Sequence, residues 1–249
     1  MKTRLDKLLV ERGLVGSRER AQALIIGGKV LVEEQKIEKA GTAVNHDAAI
    51  RLLAGDRRYV SRGGSKLEKA LDYWKISVTG KVCLDIGSST GGFSDCLLQH
   101  GAGKVIAVDT GYGQLDLKVR QDSRVRLLEN MNARFLTKDQ ISEVVDLIAV
   151  DVSFISATLV LPAVVRAAFP EFPGERAGRQ LVVLVKPQFE VGREHVGKRG
   201  IVRDQGAQSA AVDRVRHTVL AVGFSRSDVI ESPILGAGGN REFLLYASI

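Results

Sequence analysis

The hydrophobic pattern of residues 1–58 predicts a small α+β module. Apolar residues at helical spacing predict two short helices in its first half. Ser17 is placed to cap the second helix, and the glycine pair at 27–28 would end it. Two β segments follow, at Lys29–Val32 and Ala49–Leu53. Both are short, so they predict a small sheet beside the helices.

From Val82 onward, short runs that are apolar on both faces alternate with helical stretches. The five runs are VCLDIG, KVIAVD, VRLLEN, VDLIAVDVS and QLVVLVKPQF. Runs of this kind, separated by helices, are typical of a parallel sheet covered on both sides. Two later segments, around Asp228–Ile230 and Glu242–Ala247, would complete the sheet with antiparallel pairing. The predicted fold class is therefore α/β, with a mostly parallel seven-stranded sheet behind a small α+β domain.

A basic, glycine-containing segment, RRYVSRGGSK, separates the two patterns. The glycines at 63 and 64 are expected to break any helix. The predicted organisation is an N-terminal domain at 1–58, a linker at 59–65 and a second domain at 66–249.

The charge balance indicates an anionic partner. The chain has 36 Lys and Arg against 29 Asp and Glu, a net charge of +7. Residues 1–30 alone hold seven basic and three acidic side chains. Nucleic acid is the commonest partner of such a surface, although a solvated basic face is the simpler alternative.

Other compositional features narrow the class of protein. Cys83 and Cys96 belong to no Cys/His cluster, so neither a structural metal nor a disulfide framework is predicted. The N-terminus lacks the apolar core of a signal peptide, and the apolar runs are too short to span a bilayer. A cytoplasmic protein is expected. The pattern leaves the oligomeric state open.

The segment RLDKLLVERGLVGSRERAQALIIGGKVLVE resembles the S4-type RNA-binding module. The resemblance implies that its helices and following strand place basic side chains along a phosphate backbone. A helical cap on the second domain is the alternative. The candidate RNA-binding residues, including those of the linker, are Arg4, Lys7, Arg18, Arg20, Lys29, Arg57, Arg58 and Arg62.

The motif DIGSSTGGFSD follows the first β run and resembles the glycine-rich loop of Rossmann-like methyltransferases. Its glycines let the backbone turn sharply and approach a ligand. Asp109 ends the next β run, where a carboxylate can bind the ribose hydroxyls of an adenosine cofactor. Asn130 and Asn132 follow the third run, where an amide could contact adenine or serve only in a turn. The candidate cofactor-binding residues are Asp85, Gly87, Ser89, Thr90, Gly91, Gly92, Phe93, Asp109 and Asn132.

Four charged residues from distant segments form a candidate catalytic set: Lys66, Asp151, Lys186 and Glu242. Lys186 follows the buried run LVVLV, and Asp151 ends another such run. The carboxyl ends of parallel strands open onto the crevice where ligands bind. Taken singly, each residue has a structural explanation such as a helix cap or an edge charge.

Together the four match the Lys-Asp-Lys-Glu tetrad of FtsJ-type ribose 2′-O-methyltransferases, and nearly the whole chain resembles the TlyA, or haemolysin A-like, family. The resemblance rests on RLDKLL, SRGGSKLEKAL, DIGSSTGGFSD, VDLIAVDVSFIS, LVKPQFE and GGNREFLLY. It implies an S-adenosylmethionine-dependent enzyme that methylates ribosomal RNA, free or within ribosomal subunits, at a cytidine 2′-hydroxyl. Lys186 would be the central group, with the other three setting its charge and position.

One departure concerns the linker, where the family can carry Arg-x-Trp and this chain reads Arg57-Arg58-Tyr59. Tyr59 is expected to retain the stacking ability of the Trp. A second basic stretch, GREHVGKRGIVRD, predicts a mobile loop over the RNA or a plain flexible loop.

Three competing functions remain. A membrane-active haemolysin is disfavoured by the lack of a spanning or strongly amphipathic segment. A non-catalytic RNA-binding factor is disfavoured by the intact tetrad, and a pseudouridine synthase by the cofactor loop with Asp109.

Overall fold

The computed structural model divides the chain into two units, Met1–Arg58 and Tyr59–Ile249. It describes residues 2–15, 17–53, 58–171 and 173–249.

The first unit is a small α+β structure. Its strands are β1 (Lys2–Arg4), β2 (Val30–Val32), β3 (Gln35–Ile37), β4 (Ala43–Asn45) and β5 (Ile50–Leu52), and its helices are α1 (Leu5–Glu11) and α2 (Arg18–Ile26). Strands β1 and β4 form one antiparallel pair, while β3, β2 and β5 form a three-stranded antiparallel sheet.

Local chemistry explains the two helices of this unit. The Ser17 side chain accepts a hydrogen bond from the Arg20 backbone N–H at 3.2 Å, which caps α2 as predicted. Leu5, Leu8 and Leu9 lie on one face of α1 and are fully buried. Their burial supplies much of the small core that holds the helices against the strands.

The described residues of the second unit form seven strands and seven α-helices. The strands are β6 (Val82–Ile86), β7 (Lys104–Val108), β8 (Val125–Leu128), β9 (Leu147–Val150), β10 (Gln180–Val185), β11 (Arg226–Glu231) and β12 (Phe243–Ser248). The helices are α3 (Gly63–Tyr73), α4 (Gly92–Gln99), α5 (Leu117–Arg120), α6 (Lys138–Ile141), α7 (Ala157–Ala168), α8 (Pro187–Glu190) and α9 (Gln205–Ala221).

All seven strands form one sheet in the order β11-β12-β10-β9-β6-β7-β8. Strands β10, β9, β6, β7 and β8 are parallel, and β12 runs antiparallel between β10 and β11. The prediction of a mostly parallel seven-stranded α/β fold behind a small N-terminal module is confirmed.

Hydrophobic cores lie on both faces of the sheet. Along β6, Leu84 and Ile86 belong to the core that includes α7, whereas Cys83 belongs to the core that includes α3 and α4. Because successive strand residues point to opposite faces, strands buried on both sides read as continuous apolar runs. This explains why the sequence pattern revealed the strands.

The segment predicted as a linker, residues 59–65, lies within the second unit. Tyr59 is buried, and α3 begins at Gly63 rather than being broken there. A side chain at Gly64 would lie 2.2 Å from the Tyr59 ring, so glycine lets the backbone pack directly on the tyrosine. The ring of Tyr59, which was expected to retain the stacking ability of Trp, is instead buried in the core.

Candidate active site

The sheet topology gathers the four charged candidates at one edge. Val185 pairs with Phe243 across the antiparallel strands β10 and β12. Lys186, which follows β10, and Glu242, which precedes β12, therefore lie side by side at the end of the sheet. Asp151 follows β9, which is parallel to β10 and adjacent to it. This is the carboxyl edge of the parallel strands, where ligands bind in α/β folds.

The four side chains form two ion pairs. Lys66 Nζ donates to Glu242 Oε2 at 2.5 Å, and Lys186 Nζ lies 2.6 Å from Asp151 Oδ1. Lys66, Lys186 and Glu242 are all buried, so each charge requires its partner. The contact at Asp151 lacks hydrogen-bond geometry, and its Oδ1 accepts no hydrogen bond from the described residues.

Helix α3 connects the two pairs. Lys66 lies in its first turn, and a side chain at Gly63 would lie 3.8 Å from Asp151 Oδ2. The helix that supplies one lysine therefore begins beside the carboxylate that holds the other.

A pocket of about 450 Å³ adjoins this edge, within the size range of small-molecule sites. Asp151 is part of its wall. The predicted cofactor residues that line it are Gly87, Ser89, Asp109 and Asn132. Hydrophobic wall residues include Met131 and Ile155.

Asp109 is held at the pocket by the glycine loop. Its Oδ2 accepts a hydrogen bond from the Ser89 backbone N–H at 2.8 Å, and its Oδ1 accepts one from Gly111 at 2.7 Å. Each carboxylate oxygen has a second lone pair, so both can still accept from a ligand hydroxyl. A side chain at Gly87 would lie 2.4 Å from the Asp151 carbonyl oxygen, so only glycine fits there.

The side chain of Asn132 has a free donor. Its Oδ1 accepts from the Arg134 backbone N–H at 3.1 Å and caps a short 3₁₀ turn. Within the described part of the chain, its Nδ2 has no hydrogen-bond partner. An amide donor at a pocket wall can contact a ring nitrogen of a purine.

Asp85 lies beneath the loop instead of on the pocket wall. It is fully buried, and its Oδ2 accepts a hydrogen bond from Ser94 Oγ at 2.6 Å. The pKa of this carboxyl is raised to about 7, chiefly by burial and less by the nearby charges of Asp151 and Asp109, while the hydrogen bonds from Ser94 oppose the shift.

Four other predicted cofactor residues are also absent from the wall of this pocket: Thr90, Gly91, Gly92 and Phe93. Phe93 is a buried core residue. A side chain at Gly92 would lie 2.1 Å from Ser61 Oγ and 3.0 Å from the Gly64 nitrogen. This half of the motif packs the loop against the start of α3.

Three residues at the site were not singled out from the sequence: Ser153, Phe154 and Phe189. Ser153 Oγ accepts a hydrogen bond from Lys186 Nζ at 2.7 Å. Phe154 is 92% exposed, has a left-handed backbone with φ of +64°, and contacts Phe189 with ring centroids 5.4 Å apart. The only sequence signal that could have found them is their position shortly after Asp151 or Lys186.

The predicted RNA-binding residues belong to both units, with Arg62 in the second. Those that the structure describes, in both units, are all exposed: Arg4, Lys7, Arg18, Arg20, Lys29, Arg58 and Arg62. Arg57 lies outside the described residues.

Asp6 organises part of this basic face. Its buried carboxylate accepts from Arg4 Nε and Nη2 at 3.1 and 3.0 Å, from Arg18 Nε at 3.0 Å and from Gln22 at 2.9 Å. These donors, chiefly Arg4, hold the pKa of Asp6 well below its ordinary range despite burial. One carboxylate thus fixes two arginines on the surface.

The described residues contain neither a candidate membrane-spanning helix nor a candidate metal-binding cluster. No helix there is long and apolar enough to cross a membrane. No group of three His, Cys, Asp or Glu side chains there is arranged to hold a metal ion.

Comparison with known proteins agrees with this architecture. Residues 59–248 match the model of the FtsJ-like methyltransferases, and residues 3–50 match the S4 domain. The chain is 43% identical to the 16S/23S rRNA (cytidine-2′-O)-methyltransferase TlyA of Mycobacterium tuberculosis, over 98% of this chain and 89% of TlyA. The chain belongs to the FtsJ-like methyltransferases, in the TlyA family.

Other relatives of the TlyA family carry a different name. "Hemolysin A" of Brachyspira hyodysenteriae is 40% identical, with 98% of both chains covered. A solved hemolysin-named structure from Streptococcus thermophilus is 40% identical, with a TM-score of 0.74 over 99% of this chain and 88% of that chain.

Enzymes of the FtsJ-like family use S-adenosylmethionine, and the pocket fits that cofactor. Asp109 offers acceptors for two ribose hydroxyls, Asn132 offers an amide donor, and Gly87 leaves room for close backbone approach. Asp151 belongs to the pocket wall and lies 2.6 Å from Lys186 Nζ, so the pocket adjoins one of the two ion pairs.

Proposed function

We propose that this chain transfers a methyl group from S-adenosylmethionine to a ribose 2′-hydroxyl of ribosomal RNA, with cytidine as the target nucleoside. One observation supports the proposal most strongly. The Lys66–Glu242 and Lys186–Asp151 ion pairs lie beside the pocket whose wall includes Asp109. The M. tuberculosis relative is named for this reaction. A ribosomal RNA substrate implies that the enzyme works in the cytoplasm.

The cofactor supplies an already activated methyl group, so the protein must mainly align the hydroxyl and accept its proton. Holding the reacting groups in line can contribute about 7–11 kcal/mol. We assign Lys186 Nζ to the hydroxyl, because Asp151 and Ser153 fix this nitrogen at the pocket. Loss of a proton from Lys186 to solvent would give the nitrogen a lone pair. That lone pair would accept the hydroxyl proton as the oxygen–methyl bond forms and the methyl–sulfur bond breaks, and Asp151 would stabilise the resulting ammonium.

Lys66 and Glu242 complete the site as a second pair. Glu242 neutralises Lys66 within the buried edge, so the second lysine adds a hydrogen-bond donor without adding net charge. We assign Lys66 to positioning of the ribose. Removing either partner would leave an unpaired buried charge.

The RNA is recognised at two kinds of surface in this proposal. The exposed arginines and lysines of the S4 domain bind phosphates, which positions the substrate without reading its sequence. The exposed ring of Phe154, supported by Phe189, offers a stacking surface for an unpaired base beside the pocket.

Substitution Lys186→Ala tests the assignment. We expect methyl transfer to be lost while S-adenosylmethionine binding, measured by calorimetry, stays close to that of the wild type. Lys69→Ala is the matched control, because Lys69 is an exposed lysine one turn beyond Lys66 on α3. Near-wild-type turnover by the Lys186 variant would refute the catalytic role.

A further inference from the structure

The loop between α8 and α9 carries unpaired positive charge. Residues 192–204, which we call the basic arm, expose four cations: Arg193, Lys198, Arg199 and Arg203. Within the described part of the chain, none of the four has an ion pair or a side-chain hydrogen bond. The acidic residues of the arm are engaged locally, since Glu194 lies 3.8 Å from His195 and Asp204 caps α9.

A buried asparagine fixes the backbone of the basic arm. Asn240 Oδ1 accepts a hydrogen bond from the Val202 N–H at 3.0 Å, and its Nδ2 donates to the Gly200 carbonyl at 2.8 Å. Gln208 of α9 donates to the Val202 carbonyl at 2.8 Å. The arm is therefore tethered at defined points and differs from a plain flexible loop.

Both attachments of the basic arm adjoin the active site. The arm follows α8, whose N-cap residue is Lys186. Asn240 is two residues before Glu242, which holds Lys66. The cations are thus built onto the two segments that supply half of the candidate catalytic set.

Arg199 adopts a conformation that favours glycine. Its φ is +65°, and such a backbone costs a non-glycine residue on the order of 1 kcal/mol or more. Gly200 and Gly238 nearby adopt the same region without that cost. Arg199 therefore places an exposed cation at a position where glycine would have less backbone strain.

We infer that the basic arm binds the RNA phosphate backbone next to the catalytic lysines, and that Asn240 fixes the arm relative to Glu242. Cations on a tethered backbone bind a polyanion with less loss of conformational entropy than cations on a free loop. The S4 domain and the arm then hold the substrate through different parts of the chain. The inference rests on the proposed RNA substrate.

The test is the salt dependence of RNA binding by the full chain carrying Lys198→Gln and Arg199→Gly. Glycine at 199 removes the cation and relieves the backbone. Each lost phosphate contact reduces the magnitude of the negative slope of log K against log [salt] by about 0.7–0.9, so for two lost cations we expect this magnitude to fall by roughly 1.5. The probe is 23S rRNA transcribed in vitro without modifications.

The matched control removes the same charge elsewhere with Lys75→Asn and Arg226→Gln. Both side chains are exposed and have no ion pair or side-chain hydrogen bond within the described residues, and Arg226 lies at the opposite edge of the sheet. We expect the control slope to stay within a few tenths of the wild-type slope. Equal slopes for the arm variant and the wild type, or an equal loss in the control, would overturn the inference.

Asn240→Ala tests the anchor. If Asn240 acts through the arm, Asn240→Ala should lower RNA affinity in the wild-type background. The same substitution should have little further effect in the Lys198→Gln/Arg199→Gly background. Additive losses would contradict the anchoring role. Methyl transfer by the wild-type chain is measured in parallel, so a failed arm and a failed methyltransferase assignment give different results.

Discussion

At the scale of single residues, buried carboxylates shape both units in different ways. Asp6 is surrounded by donors and stays ionised, so it fixes Arg4 and Arg18. Asp85 has one donor, Ser94, and its pKa is raised. The difference follows from the number of charged hydrogen bonds available to offset burial.

Substitution Asp6→Asn separates two roles of that carboxylate. Removing a negative charge near phosphates should by itself tighten RNA binding. If Asp6 positions Arg4 and Arg18, the same change should instead weaken binding several-fold in a filter-binding assay. Glu11→Gln is the control, because among the described residues Glu11 pairs only with the exposed Lys7, and its substitution should give equal or tighter binding.

A double substitution distinguishes positioning from general destabilisation by Asp6→Asn. In an Arg18→Ala background the effect of Asp6→Asn on affinity should shrink. Tighter binding by Asp6→Asn alone would contradict the positioning role.

Substitution Asp85→Asn should alter the pH dependence of stability. The pKa of Asp85 is about 7 in the folded chain, against an ordinary value of 3.8. The folded state therefore binds this proton more tightly than the unfolded state, and stability is lost as pH rises from about 4 through 7. The loss amounts to about 1.4 kcal/mol for each pH unit in that window.

Urea unfolding at several pH values measures this effect. The Asp85→Asn variant should show a flatter curve of unfolding free energy against pH between about pH 4 and 7, and parallel curves for both proteins would exclude the raised pKa. A constant vertical offset between the curves carries no information about titration.

At the scale of elements, close packing between the glycine loop and α3 sets the position of Lys66. A side chain at Gly92 would meet Ser61 and the backbone of Gly64, next to the start of that helix. The loop and the helix therefore cannot shift independently.

Substitution Gly92→Ala should destabilise the chain by about 1–3 kcal/mol through overpacking, and should lower methyl transfer by displacing α3. Thermal unfolding and single-turnover transfer are the measurements. Gly206→Ala in α9 is the control, since a side chain there makes only ordinary contact with Asp204. Unchanged stability and activity of the Gly92 variant would show that α3 has room to adjust.

Much of the element layout was predictable because long apolar runs and helix caps act locally. The sequence pattern located β6 to β12, and it located α2 from Ser17 and the following glycine pair. It missed β1, β3 and β4, which are three residues long and have few buried positions.

The candidate site was predictable only in part. Strand ends revealed Asp151 and Lys186, since a charge after an apolar run is a local signal. The left-handed backbone of Phe154 and the Asn240 anchor depend on tertiary packing, which leaves no periodic trace. The glycine pair at 63–64 was misread as breaking a helix: both glycines lie in the first turn of α3, where Gly64 packs closely on Tyr59.

At the scale of the whole molecule, the two units carry different features of the proposed function. The chain has a net charge of +7, and the S4 domain exposes arginines and lysines that suit a phosphate backbone. In the FtsJ-like unit, the pocket proposed to bind the cofactor adjoins a sheet edge that has two lysine–carboxylate ion pairs. Together these features specify an RNA methyltransferase whose acceptor is a hydroxyl.

The most direct test is transfer of labelled methyl groups from S-adenosylmethionine to ribosomal RNA that lacks modifications, supplied both as free RNA and as assembled subunits. Digestion to nucleosides and mass spectrometry then locate the label. The account predicts label in 2′-O-methylcytidine, at a discrete position and only with intact Lys186. Label on a base, or no transfer to either substrate, would contradict it.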